Sequence, residues 1–184
     1  MENTRIFLFL FLMISFAQGV GAQLQEPEAR MDMKNLIRRE RLDLILPKAM
    51  RNNKIDMWIH LSEDSNIDFG SEGYFIFTDR GGKRIERAVF GWNYEIKDPE
   101  IFDIISGEIP EASVGQSRFY GLRKFVSKRD PKHIAVDLNN ISHKNYLELS
   151  DELGDTYAKR MVSADNLVID FLSQRVLSEL VLYS

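Results

Sequence analysis

The segment 55–61 (IDMWIHL) constrains the fold more than any other part of the chain. Every second residue in it is apolar, and this period of two predicts a β-strand. Trp58 lies on the opposite face, so both faces of the strand need apolar cover. A strand of this kind belongs inside a sheet that is packed on each side.

The rest of the pattern supplies neighbours for that strand. Segments 73–78 and 83–90, joined by the turn Asp79-Arg80-Gly81-Gly82, predict an antiparallel hairpin. Strands are also predicted at 133–138 and 156–161, and helices at 34–53, 99–105, 117–127, 142–153 and 165–172. The strands near 55, 133 and 157 are separated by helices, which favours parallel crossovers. We therefore expect an α/β domain, a three-layer mixed sheet with helices on both faces.

The first helix, 34–53, combines an apolar face with a proline. Its apolar residues recur at helical spacing, and we expect Arg38, Arg39, Arg41 and Lys48 to lie largely away from that face. Pro47 falls inside the pattern, where a proline costs about 3 kcal/mol or more. The sequence thus predicts a kink, or a restart with Pro47 in a first helical turn.

The first 22 residues have the three parts of a cleavable signal peptide. Arg5 supplies positive charge, the apolar run extends from Ile6 to Phe16, and Val20-Gly21-Ala22 offers small residues for cleavage after Ala22. The run is shorter than the ~20 residues that cross a bilayer, which disfavours a retained anchor. We expect export to a periplasmic or secreted location with no membrane attachment after cleavage, and a linker at 23–33.

Composition narrows the chemistry. The chain has no cysteine, so neither disulfides nor thiolate chemistry are available to it. Its net charge of −4 argues against a nucleic-acid partner. Candidate groups are therefore carboxylates, hydroxyls, lysines and three histidines.

No set of these candidates forms a recognisable catalytic motif. No second histidine lies four residues after His60, His133 or His143, and no carboxylate lies at a recognised metal-ligand spacing from them. Structural roles are favoured for all three. Asp137 follows a predicted strand, where α/β folds bind ligands, although ordering its own loop is the favoured alternative. An acidic loop after the first strand contains Glu63, Asp64 and Asp68 and matches no calcium motif.

The final residues predict an unfinished helix. Ser178 is expected to cap it and Glu179 to lie in its first turn, but the sequence stops at Ser184 without a C-cap. We expect that the sequence is cut rather than complete.

Three blocks of the sequence resemble a known family. RRERLDLILPKAMRNNKIDMWIHL (38–61), HIAVDLNNISHKNYLELSDELG (133–154) and SADNLVIDFLSQRVLSELVLY (163–183) are similar, in order and spacing, to the N-terminal domain of creatinase/aminopeptidase P-like proteins. In the last block Arg175 and Glu179 match the family's connecting Arg-x-Pro-x-Glu run, and Leu177 replaces its proline.

The resemblance implies a ribonuclease H-like α/β domain at 34–172 and, at 173–184, the start of a connector to an absent metallopeptidase domain. That domain would hold the divalent metal, such as manganese, and cleave the bond before proline in peptides. The present chain would then supply no catalytic, cofactor or metal residue. Its partners would be the missing domain and a second subunit in a homodimer. Asn66, Asp68 and Phe69 are the candidates for an edge of the substrate cleft.

Three hypotheses follow. The first is a non-catalytic N-terminal domain of an exported Xaa-Pro aminopeptidase/prolidase-like protein, which assists dimerisation and shapes the cleft. The second is an independent exported binding or assembly module. The third is a small hydrolase that uses Asp137, His60 and the acidic loop, although the absence of a catalytic motif disfavours it.

Overall fold

The computed structural model describes residues 29–64, 67–70, 73–91, 96, 98–106 and 119–182. Residues 29–40 form helix α1, which continues through a π-helical turn (Arg41–Ile45) into α2 (Leu46–Asn52). The strands are β1 (Met57–Leu61), β2 (Gly73–Thr78), β3 (Glu86–Gly91), β4 (Ile104–Ser106), β5 (Ile134–Val136) and β6 (Met161–Ser163). The later helices are α3 (Leu122–Ser127), α4 (His143–Ala158), α5 (Asp165–Ser173) and α6 (Leu177–Leu182).

The described strands form one mixed six-stranded sheet in the order β4-β3-β2-β1-β5-β6. The pairs β1–β2 and β2–β3 are antiparallel. The pairs β1–β5, β5–β6 and β3–β4 are parallel. The prediction of an α/β fold with a mixed sheet is confirmed, as is the hairpin 73–90.

Strand β1 is buried on both faces, as its sequence predicts. Trp58 packs in one apolar cluster with side chains of α2 and α5, which cover one face of the sheet. Met57, Ile59 and Leu61 pack in a second cluster with side chains of α3 and α4 on the opposite face. Ile55 precedes the strand and joins the cluster of Trp58, so its assignment to the Met57 face is wrong.

The π-helical turn explains how the first helix accommodates Pro47. The N–H of Leu46 donates to the carbonyl of Arg41, five residues earlier, which is the π-helical pattern. Pro47 then lies in the first turn of α2, where its missing N–H costs little. The predicted restart is confirmed. Residues 29–33, assigned to a linker from the sequence, are helical in the structure.

Two predicted elements are wrong. Segment 99–105 contains only the short 3₁₀ turn Pro99–Ile101, and the chain then enters β4. Segment 156–161 starts as helix and ends in a turn before Met161, because α4 continues past Gly154 to Ala158 after a kink at φ 67° and ψ 168°. The strand instead begins at Met161. The predicted cap of α4 is confirmed, since the hydroxyl of Ser142 accepts the N–H of Asn145 at 3.2 Å.

Among the described residues, no helix combines the length and apolar character required to cross a bilayer. The predicted signal peptide, its cleavage site at Ala22 and most of the predicted linker lie outside the described residues.

Candidate functional site

The parallel strands β1, β5 and β6 end at the same edge of the sheet, where α/β folds bind ligands. Asp137 follows β5 there, and both of its carboxylate oxygens accept from the side chain of Asn140, at 3.1 and 2.9 Å. Asp137 therefore orders its own loop. Glu63 reaches the first turn of α4, because its Oε1 accepts from Asn145 Nδ2 at 3.4 Å. Within the described ranges, no three His, Asp or Glu side chains are grouped to hold a metal ion.

His60 is enclosed in an aromatic cage. Its ring is fully buried, and its centroid lies 5.2 Å from that of Trp58 and 5.1 Å from that of Phe69. Burial lowers the pKa of His60 to about 4, and the backbone of Ile67 offsets this only in part. An imidazole so enclosed cannot touch a substrate that arrives from solvent. His133 and His143 are exposed, and His133 Nδ1 lies 3.5 Å from Asp56.

The predicted cleft-edge residues take different positions. Asn66 lies outside the described residues. Asp68 is exposed, accepts the N–H of Gly70 at 2.7 Å and pairs with Arg38 at 3.3 Å. Phe69 is 2% exposed and packs on Trp58 and Phe77, so its side chain belongs to the core. The role of this segment at a substrate cleft stays a prediction.

Asp68 and Phe69 nonetheless line a cavity of about 370 Å³, hereafter the α1–α6 cleft. Its walls are the C-terminal half of α1 with the start of the π-helical turn, the segment 67–69, the end of α5 and the start of α6 with the residues between them. Its apolar lining consists of Ile37, Ile67, Phe69, Phe171 and Leu172. Its charged lining consists of Lys34, Arg38, Arg41, Asp68, Arg175 and Glu179.

A buried ion pair holds the predicted connector against the domain. Arg41 Nη1 donates to both carboxylate oxygens of Glu179, at 2.9 and 3.1 Å, and the two side chains are 11% and 8% exposed. The same nitrogen donates to the carbonyl of Gln174 at 3.0 Å, Nη2 donates to the carbonyl of Phe171, and the guanidinium lies over the Phe171 ring. These contacts hold the end of α5 and the start of α6 against the π-helical turn.

The side chain of Glu179 also caps the start of helix α6. Its Oε2 accepts the N–H of Val176 at 3.0 Å, so a carboxylate satisfies a donor at the helix start. Ser178, which the sequence predicts as the cap, lies inside the helix, and its N–H donates to Glu40 at 3.3 Å.

Sequence reasoning placed two arginines wrongly. Arg38 and Arg41 are 6% and 9% exposed, rather than turned away from the apolar face. Helical spacing does indicate that they are buried. Arg38 lies four residues before Leu42 and Arg41 four residues before Ile45, so each arginine shares a helix face with an apolar residue. Both are buried because acceptors lie within reach of them: Asn35 and Asp68 accept from Arg38, and Glu179 accepts from Arg41.

Asp98 pairs with α1 rather than with the 3₁₀ turn that it precedes. It makes no cap contact with the 3₁₀ turn that follows. Instead its buried carboxylate accepts from Arg39 Nε at 2.7 Å and Nη2 at 2.6 Å, which raises the pKa of Arg39 above its ordinary value. This contact spans 59 residues of sequence, so no local pattern announces it.

A second groove lies between α3 and α4 and is lined by Tyr120, Lys124 and Tyr157 among others. Arg123 on its wall donates to the backbone carbonyls of Glu152 and Asp151, at 2.9 and 3.0 Å. Its guanidinium therefore ties the two helices together.

Comparison of the chain with models of known families, with curated proteins and with solved structures finds no match.

Proposed function

We propose that the chain is the non-catalytic N-terminal domain of an exported Xaa-Pro aminopeptidase/prolidase-like metallopeptidase, with a role in dimerisation and in shaping the substrate cleft. The observation that carries this proposal is the packing of the predicted connector. Glu179, which matches the family's connecting run, is locked by Arg41 beside the segment that contains Asp68. A domain that follows α6 would therefore start next to the predicted cleft edge.

The topology of the sheet gives further support. Leaving β4 aside, the strand order is β3-β2-β1-β5-β6, and β2 alone runs against the others. This arrangement is compatible with the ribonuclease H-like topology that the resemblance implies.

Helix α6 offers the apolar surface that a neighbouring domain would cover. Leu177, Leu180 and Val181 are 74%, 62% and 62% exposed. Three large apolar side chains exposed on one short helix are typical of an interaction surface. In this proposal the catalytic domain covers the exposed surface of α6. That domain also binds the divalent metal, and the present chain carries out no catalytic step.

The DNA downstream of the codon for Ser184 tests the proposal directly. We expect an in-frame or frameshifted continuation that encodes two aspartates, a histidine and two glutamates of a metal site. An unrelated downstream sequence would contradict the proposal. The purified chain should also show no cleavage of an Xaa-Pro peptide with added manganese, and metal-dependent activity that co-elutes with it would be a second contradiction.

The alternative, an independent exported binding or assembly module, makes a different prediction. Such a module would be stable and monodisperse alone, whereas a domain with a bare α6 surface should self-associate. Light scattering on the eluted protein separates the two, with Leu180→Lys as the variant that removes apolar surface from α6.

A further inference from the structure

The α1–α6 cleft has the size and lining of a small-molecule site. Its volume of about 370 Å³ lies at the small end of the range for ligand pockets, roughly 300–1,000 Å³. Five of its eleven lining residues are apolar, and among these Leu172 is exposed and Ile37 partly buried. Such a surface favours a ligand with an apolar body.

The charged half of the cleft carries an excess of positive charge. Two arginines of the cleft already form ion pairs, Arg41 with Glu179 and Arg38 with Asp68. Two further cations, Lys34 and Arg175, are exposed. Lys34 has no ion-pair partner among the described residues.

Arg175 retains most of its donor capacity. Its only described contact is Nη1 at 3.4 Å from Glu179 Oε1, an oxygen that already accepts from Arg41 at 2.9 Å. A guanidinium presents five N–H donors in a planar fork that matches a carboxylate with two parallel hydrogen bonds. Arg175 can therefore bind an anion without giving up its place beside Glu179.

We propose that the α1–α6 cleft binds a small organic monocarboxylate with an apolar body. The carboxylate pairs with Arg175 and Lys34, and the apolar body lies against the partly buried Ile37 and the exposed Leu172. The carboxylates of Asp68 and Glu179 on the same lining repel a ligand with several negative charges, which disfavours phosphates and polyanions. This inference does not depend on the proposed peptidase relationship.

Titration of the full chain with N-acetyl-L-leucine, followed by NMR or calorimetry, tests the proposal. We expect saturable binding with a Kd of about 1 mM or below, the affinity that a ligand of this size typically reaches. N-acetyl-L-leucinamide, which lacks the charge, should bind about tenfold more weakly. Acetate, which lacks the apolar body, should also bind about tenfold more weakly.

The test variant carries both Arg175→Gln and Lys34→Gln. The control variant carries Lys124→Gln, which removes an exposed cation from the α3–α4 groove instead. All three side chains are exposed, so folding should be unchanged, as the unfolding midpoint will verify. The double variant should weaken binding about tenfold or more, and the control should not. No saturable binding, equal affinity for the amide or for acetate, or equal weakening by the control variant would each overturn the proposal. The ligand comparisons decide the matter even if a variant fails to fold.

Discussion

The buried imidazole of His60 should make the stability of the protein depend on pH. Its folded-state pKa is about 4, against about 6.5 in the unfolded chain. Between these values the unfolded chain binds a proton that the folded chain excludes. The contribution of His60 to stability is therefore fully present above pH 6.5 and is lost as the pH drops towards 4.

The size of this effect follows from the shift. A difference of one pKa unit corresponds to 1.36 kcal/mol, so the full shift is worth about 3 kcal/mol. At pH 4.5 roughly 2.5 kcal/mol of that is already lost. Because the ring is fully buried, solvent does not screen this contribution.

Urea unfolding of the wild type and of His60→Phe at pH 7.5 and pH 4.5 measures this loss of stability. Phenylalanine keeps an aromatic ring among Trp58, Phe69 and Phe75 but cannot take up a proton. The wild type should lose about 2.5 kcal/mol more than the variant between the two pH values. Comparing the losses cancels any constant effect of the substitution on packing.

If His60→Phe loses as much stability as the wild type, within about 0.5 kcal/mol, the ring is not excluded from protonation and the reasoning fails.

Three further predictions concern contacts that hold single elements in place. Glu179→Gln leaves Arg41 buried without its counter-charge and should cost about 3 kcal/mol in urea unfolding, with faster proteolysis near α6; a change below about 0.5 kcal/mol would refute the importance of the pair. Gly154→Ala should lower the free energy of unfolding by about 1–2 kcal/mol, because φ is +67° and the new Cβ would lie 2.5 Å from a guanidinium nitrogen of Arg123. The control Gly82→Ala should be nearly neutral, because its new Cβ would meet only one atom, at 3.9 Å. Ser142→Ala should lower the free energy of unfolding by about 1 kcal/mol through loss of the α4 cap, and an unchanged midpoint would contradict that role.

The parts of the fold that could be predicted are those in which neighbours along the chain decide the structure. The strand 57–61, the hairpin after it and the cap at Ser142 all have local signals of this kind. Strand β4 has none, because its three residues are extended only through pairing with β3. The end of α4 was also missed, since Gly154 kinks the helix and a further turn continues beyond it.

The candidate site was less accessible from the sequence. Asp68 and Phe69 were singled out by their position after β1, but nothing local shows that one is exposed and the other buried. The pairing of Arg41 with Glu179 joins residues 138 positions apart. Contacts of that range depend on the finished arrangement of helices around the sheet, which a periodic pattern does not encode.

The central place of β1 has a consequence for how the chain reaches this structure. On one side β1 pairs with β2, its next strand along the chain, so the β1–β2–β3 unit can form from local contacts. On the other side it pairs with β5, where Met57 meets Ile134, and this pairing must wait for a long loop to close. Until β5 arrives, an apolar strand has an open edge that another chain can occupy. The docking of 134–163 therefore sets the interval during which a newly made chain is exposed to aggregation.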